Sequence, residues 1–229
     1  MVVLFFYLYF VFQSTFMSHQ QQSLEDLQHI KKMMERSSRF ISLSGLSGIS
    51  AGLCAIIGAW VAHPYVMGRQ DFLLYGVDYS KDIFSIVVFN KLFWIAGITF
   101  IAAFVSAFAF TWIKSKKDGT PLWGNTAKRL MINVSIPLFV GGLFLFRMMH
   151  YGTFGLVAPG CLIFYGLSLI NASKYTLDEI RYLGYAQIFL GIINLWYVGY
   201  GLYFWAMGFG VMHILYGVYM WMKYERKTS

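Results

Sequence analysis

Apolar and polar positions along this chain fall in long blocks rather than alternating. Apolar runs cover about residues 41–62, 86–112, 130–150, 154–171, 180–199 and 202–222, with polar or basic stretches between most of them. Each is close to the ~20 residues that an α-helix needs to cross a ~30 Å hydrocarbon core. The pattern predicts an all-α, polytopic membrane helical bundle of six transmembrane helices over 41–222. Residues 177–222 are too long for one crossing, and Gly199-Tyr200-Gly201 supplies the turn that divides them.

The blocks differ in kind. The first is rich in small residues: Ser44, Gly48 and Gly52 recur every fourth position, as do Ser47, Ala51, Ala55 and Ala59. Small residues let backbones approach closely, so this helix is expected at the centre of the bundle. Pro137 within the third block removes a backbone donor and predicts a kink. Thr176 and Glu179 have capping-box spacing and predict the start of the fifth helix. Before the bundle, Leu24, Leu27, Ile30 and Met34 recur at helical spacing beside Lys31, Lys32, Arg36 and Arg39. Residues 18–40 therefore read as a short N-terminal amphipathic helix on the cytoplasmic membrane surface, with Ser23 and Asp26 as its cap. Residues 1–16 form an apolar extension, of which 1–12 would rise only ~18 Å as a helix, too little to cross. An over-extended start with Met17 as initiator and a short interfacial helix both fit it. Residues 223–229 are a basic tail.

Composition agrees with the pattern: 58% of the 229 residues are hydrophobic and 12% charged, which excludes an ordinary soluble globule. The net charge of +8 does not point to nucleic acid, because the cations lie between apolar runs. Fourteen of the 18 Lys and Arg fall on one set of alternating segments, among them Lys114, Lys116, Lys117, Lys128 and Arg129 in the 113–129 loop. Arg69, Lys81 and Arg147 fall on the other set, and Lys91 lies just inside the second block. The positive-inside rule then places both termini in the cytoplasm, N-in and C-in. Cys54 and Cys161 sit inside apolar runs and build neither a metal site nor a disulfide framework.

Three runs, KRLMINVSIPLFVGG (128–142), NASKYTLDEIRYLGY (171–185) and FWAMGFGVMHILYG (204–217), resemble a family of multi-pass membrane proteins of Bacteroidota-type bacteria. The resemblance covers most of the chain from about residue 20 and leaves out residues 1–16. It implies a six-span bacterial inner-membrane protein. The family brings no established activity, so it assigns no site residue.

Candidate chemistry is sparse. No HExxH, Walker-type glycine loop or CxxC is present, and all ten acidic residues lie outside the predicted spans. No metal or cofactor is implied. His213 is the one ionisable residue deep in a span, and it shares helical spacing with Ala206, Gly210 and Gly217. Gly184, Gln187, Gly191 and Asn194 make a small and polar stripe on the fifth span. Counted from the Gly199-Tyr200-Gly201 turn, His213 and Gln187 lie at equal depth, which predicts a hydrogen bond between them. Gln187, Asn194 and His213 are thus the candidate ligand-binding set, with a purely structural bond as the alternative. His63, Lys91, Arg147 and His150 form an expected outer-face polar cluster able to meet an anion or a headgroup. His63 and His150 share a depth, but His213 lies about ten residues deeper, roughly 15 Å, so paired-histidine haem ligation could use only the outer two. Gly45-Leu46-Ser47-Gly48 matches the GxSG string of rhomboid proteases, on the first span instead of beside a catalytic histidine. The expectation is a non-enzymatic interaction or sensory protein in lipid, paired with a cytoplasmic protein or a second copy of itself. The alternatives are a small transporter or ligand-binding protein with its site between spans five and six, and an intramembrane serine protease.

Overall fold

The computed structural model describes residues 43–67, 83–119 and 122–226. The extension 1–16, the amphipathic segment 18–40 and most of the outer loop 63–85 lie outside them. Among the described residues six helices follow in order: α1 Gly45–Val66, α2 Ile83–Asp118, α3 Asn125–His150, α4 Phe154–Ala172, α5 Ile180–Trp196 and α6 Val198–Glu225. Among the described residues there is no strand. Five of the helices are long and apolar enough to cross a membrane. The remaining one, α5, has 17 residues and a rise of ~25 Å.

The boundaries follow the apolar blocks with informative exceptions. The α2 helix runs on to Asp118, so Lys114, Lys116 and Lys117, placed in a loop by hydropathy, are helical. Lys and Arg are good helix formers, and their polarity marks a membrane edge without ending a helix. At the other terminus α6 continues to Glu225, and the expected tail begins as helix. Pro137 lies inside one continuous helix, α3. At the start of α5, Glu179 is itself in helical conformation and makes no side-chain cap bond as the N-cap residue.

Packing is set by small residues. The α1 helix lies between α2 and α6, and α4 packs broadly on α5 and on α3. Glycines form the seams. A β-carbon at Gly52 would stand 2.7 Å from the Gly210 carbonyl oxygen, and one at Gly217 would stand 2.6 Å from the Gly45 carbonyl oxygen. Likewise, a β-carbon at Gly184 would stand 2.8 Å from the carbonyl oxygen of Gly166, so α4 and α5 touch backbone to backbone. In lipid, apolar burial gives helices little reason to associate, and close contact of this kind is what holds them. The α2 and α3 helices, consecutive in sequence, are not packed on one another: α2 rests on α1 and α3 on α4.

The α6 helix is irregular. It begins with a 3₁₀ turn, Val198–Tyr200, continues as α-helix through Gly201–Trp205, widens to a π-helix over Ala206–Met212, and returns to α-helix at His213–Met220. Trp221–Glu225 is again π-helical.

Candidate functional site

The polar groups of the bundle meet where α4, α5 and α6 join. Gln187 projects from α5 with no exposed surface, and its Nε2 donates to the Gly208 carbonyl at 2.7 Å. His213 Nδ1 lies 3.0 Å from the same carbonyl. A carbonyl only accepts, so Nδ1 carries the proton and donates. Nε2 is then an acceptor, and the Tyr165 hydroxyl of α4 donates to it at 2.8 Å. The Tyr165 ring stacks on the imidazole at 5.4 Å, and Phe209 lies 6.0 Å from the imidazole and 5.1 Å from the Tyr165 ring, so the three rings form one cluster. Gln187 Nε2 and His213 Nδ1 come within 3.5 Å, but both are donors here. The equal depth expected from sequence holds, and the two side chains share one acceptor instead of bonding to each other. Gly208 lies within the π-helical stretch, where carbonyls are displaced from regular α-helical pairing.

Two acceptors on α5 have no donor, one at this centre and one seven residues, ~10 Å, further along the helix. Gln187 Oε1 and Asn194 Oδ1 are buried without a hydrogen-bond partner. Asn194 Nδ2 donates to the Tyr197 carbonyl at 2.9 Å, which fixes the amide and turns its oxygen toward Gly201. The Tyr216 hydroxyl, one turn past His213, is buried and unpartnered too.

The outer residues do not form one cluster. His63 Nε2 pairs with the Tyr203 hydroxyl at 3.3 Å, and Lys91 stands over the Tyr65 ring at 5.3 Å. Arg147 donates to the Tyr151 hydroxyl at 2.9 Å, and His150 meets the edge of the same ring. Each charged or titratable group thus has an aromatic partner, in one set on α1, α2 and α6 and another at the end of α3. Among the described residues, no three His, Cys, Asp or Glu side chains gather where a metal ion could be held.

Sequence reasoning missed a clasp at the opposite end. Glu225 accepts from the Gly45 backbone N–H at 2.7 Å and the Ser44 hydroxyl at 3.1 Å, which caps α1. Lys114 of α2 lies 3.4 Å from the same carboxylate and donates to the Leu43 carbonyl at 2.7 Å. A carboxylate at a helix N-terminus meets both free N–H groups and the positive end of the dipole. Beside it, Glu179 before α5 accepts from Lys223 and from the Tyr224 hydroxyl of α6. Partial burial pushes the Glu179 carboxyl up, but the bonds from Lys223 and Tyr224 outweigh it and hold the group below its ordinary value. Three consecutive residues, Lys223, Tyr224 and Glu225, therefore tie α6 to the first residues of α1 and α5. The only sequence signal was an acid in a basic tail.

Ser47 of the GxSG string donates to the Ser44 carbonyl within its own helix region, and His213 Nε2 is held by Tyr165, so no serine stands on the histidine. No family model, curated protein or solved structure matches the chain. Its class rests on its own helices: an all-helical protein of the membrane-spanning type.

Proposed function

We propose that this chain is a multi-pass inner-membrane protein of six spans, with both termini in the cytoplasm, that acts as a non-enzymatic interaction or sensory protein. Support for six spans comes from α5, which packs on α4 and α6 and is short by only about three residues against a ~30 Å core. Support for the orientation comes from the cations gathered at the ends of α2, α3 and α6. One observation carries the functional reading. The polar groups at the bundle centre are largely bonded to one another, whereas Lys117, Lys128 and Arg129 are exposed and, among the described residues, pair with no carboxylate. The surface offered to a partner is thus the basic inner rim. Lys114 is not part of it, because it belongs to the clasp with Glu225.

The test neutralises that rim. Lys117→Gln, Lys128→Gln and Arg129→Gln together should reproduce the phenotype of deleting the gene at normal expression, and should abolish a discrete photo-crosslink from residue 125, which is exposed beside them. His213→Gln should leave both unchanged.

The unpartnered oxygens of Gln187 and Asn194 favour a second reading: a small transporter or ligand-binding protein whose site lies between α5 and α6. Under it, His213→Gln abolishes the phenotype while the rim substitutions are silent. If both variants behave as wild type, both readings fall.

A further inference from the structure

A groove lies along one face of α2 at its basic end. Phe108, Trp112, Ser115, Lys116 and Gly119 line it from the helix, and Leu122 and Trp123 fold back over it from the turn that follows. It holds about 620 Å³. Residues 92–111 of α2 carry no charge, and these twenty residues rise ~30 Å, the thickness of the hydrocarbon core. Lys91 and Trp112 therefore mark the two edges of the membrane, and the groove opens at headgroup depth, with Phe108 one turn below in the acyl region.

Its chemistry is divided in the same direction. Among the described residues Lys116 is the one charged residue in the lining, and its ammonium stands 4.2 Å from the centre of the Trp112 ring. Among the same residues no carboxylate lines the groove and Lys116 makes no ion pair. Lys117, Lys128 and Arg129 add positive charge at the rim against a single acid, Asp118. The walls below are Phe108, Leu122 and the faces of two tryptophans, and Trp123 is 69% exposed. Among the described residues α3 does not pack on α2, so it does not cover this face. A cation above, indole rings at the interface and apolar walls below match the headgroup, glycerol and first methylenes of one molecule.

We propose that this groove is a binding site for a single anionic phospholipid, its phosphate on Lys116 and its acyl chains along Phe108. The proposal rests on the membrane reading and is independent of any protein partner at the rim.

Native mass spectrometry of the detergent-extracted protein, titrated with phosphatidylglycerol and with phosphatidylcholine, tests it. One phosphatidylglycerol should bind ahead of all others, with a preference over phosphatidylcholine of about fivefold, the scale of one surface cation. Lys116→Gln should remove that preference, and Trp123→Ala, on an exposed turn, should weaken binding of both lipids at this site. Lys117→Gln with Lys128→Gln should keep the first, preferred binding event. Three results overturn the proposal: equal affinity for the two lipids, loss of preference in proportion to total charge whichever lysine is changed, or displacement of the lipid by millimolar inorganic phosphate, which would make the groove a plain anion site. If the rim substitutions abolish the crosslink to a partner while the lipid still binds, and Lys116→Gln removes the lipid preference while the crosslink persists, the two readings separate.

Discussion

The α5 and α2 helices are both apolar, yet they hold the bundle very differently. The α5 helix buries Gly184, Gln187, Gly191 and Asn194. The α2 helix buries Thr99 and Ser115 among its described side chains, and leaves Trp94, Ile98, Phe100 and Phe104 exposed. In water the second helix would be the better core element. In lipid its large side chains gain nothing by leaving the bilayer, and helices are joined by residues that let backbones touch or hydrogen-bond. The strongest test of that contrast places one substitution on each helix. Gly184→Leu must drive a side chain into the Gly166 carbonyl and Ile170, and overpacking of this kind costs about 1–3 kcal/mol or more. Gly97→Leu on α2 meets nothing within 4 Å and should be neutral, or slightly stabilising through helix propensity. Unfolding midpoints in mixed micelles measure both. Equal losses would mean that α2 is packed by something as closely as α5 is by α4.

The contrast sharpens at the polar centre, where the next largest effect is expected. His213→Leu removes the bond to Gly208 and leaves the Tyr165 hydroxyl buried without an acceptor, a change of about 1–3 kcal/mol. Tyr165→Phe removes one bond and should cost about 1 kcal/mol. The double substitution should cost less than the sum, since no hydroxyl is then stranded, and the non-additivity reports the pair directly. Strict additivity in the same unfolding assay would show that Tyr165 and His213 are not bonded in the membrane.

The sequence shows α1, α3, α4 and α5 to within a few residues, because hydropathy alone decides where a backbone can leave water. It also shows which α5 face turns inward, since Gly184, Gln187, Gly191 and Asn194 keep a regular helical period. The α6 stripe was legible only in part. Ala206, Gly210, His213 and Gly217 share a face in an ideal helix, but the π-helical stretch Ala206–Met212 changes the residue count per turn. Gly210 and Gly217 meet α1, whereas the His213 side chain turns to Tyr165 on α4. Periodicity assumes 3.6 residues per turn and has no means of announcing a π turn. The outer cluster failed for another reason. His63 and Arg147 stand on helices whose placement around the bundle depends on packing, which hydropathy does not encode. The clasp was hidden because Glu225 and Gly45 are joined by a tertiary contact across 180 positions of chain.

That clasp gives the smallest and most local effect, and it separates the two helices once more, because it grips the starts of α1 and α5, with α2 reaching it through the Lys114 side chain near its far end. Glu179 titrates below its ordinary value of 4.5 when Lys223 and Tyr224 bond to its carboxylate. A folded-state value that is depressed contributes stability above the unfolded value and loses it as pH falls through the folded one. The tie between α5 and α6 should therefore be intact at neutral pH and weaken only as pH falls below the ordinary value of 4.5. Carboxyl carbon resonances of ¹³C-labelled glutamate, with Glu179→Gln to assign the signal, give the midpoint directly. A value below 4.5 that rises toward 4.5 in Lys223→Gln supports the clasp. A value at or above 4.5 in the intact chain would mean that Lys223 and Tyr224 do not hold this carboxylate, and that α5 owes its position to the Gly166–Gly184 contact and the Gln187 junction without help from the end of α6.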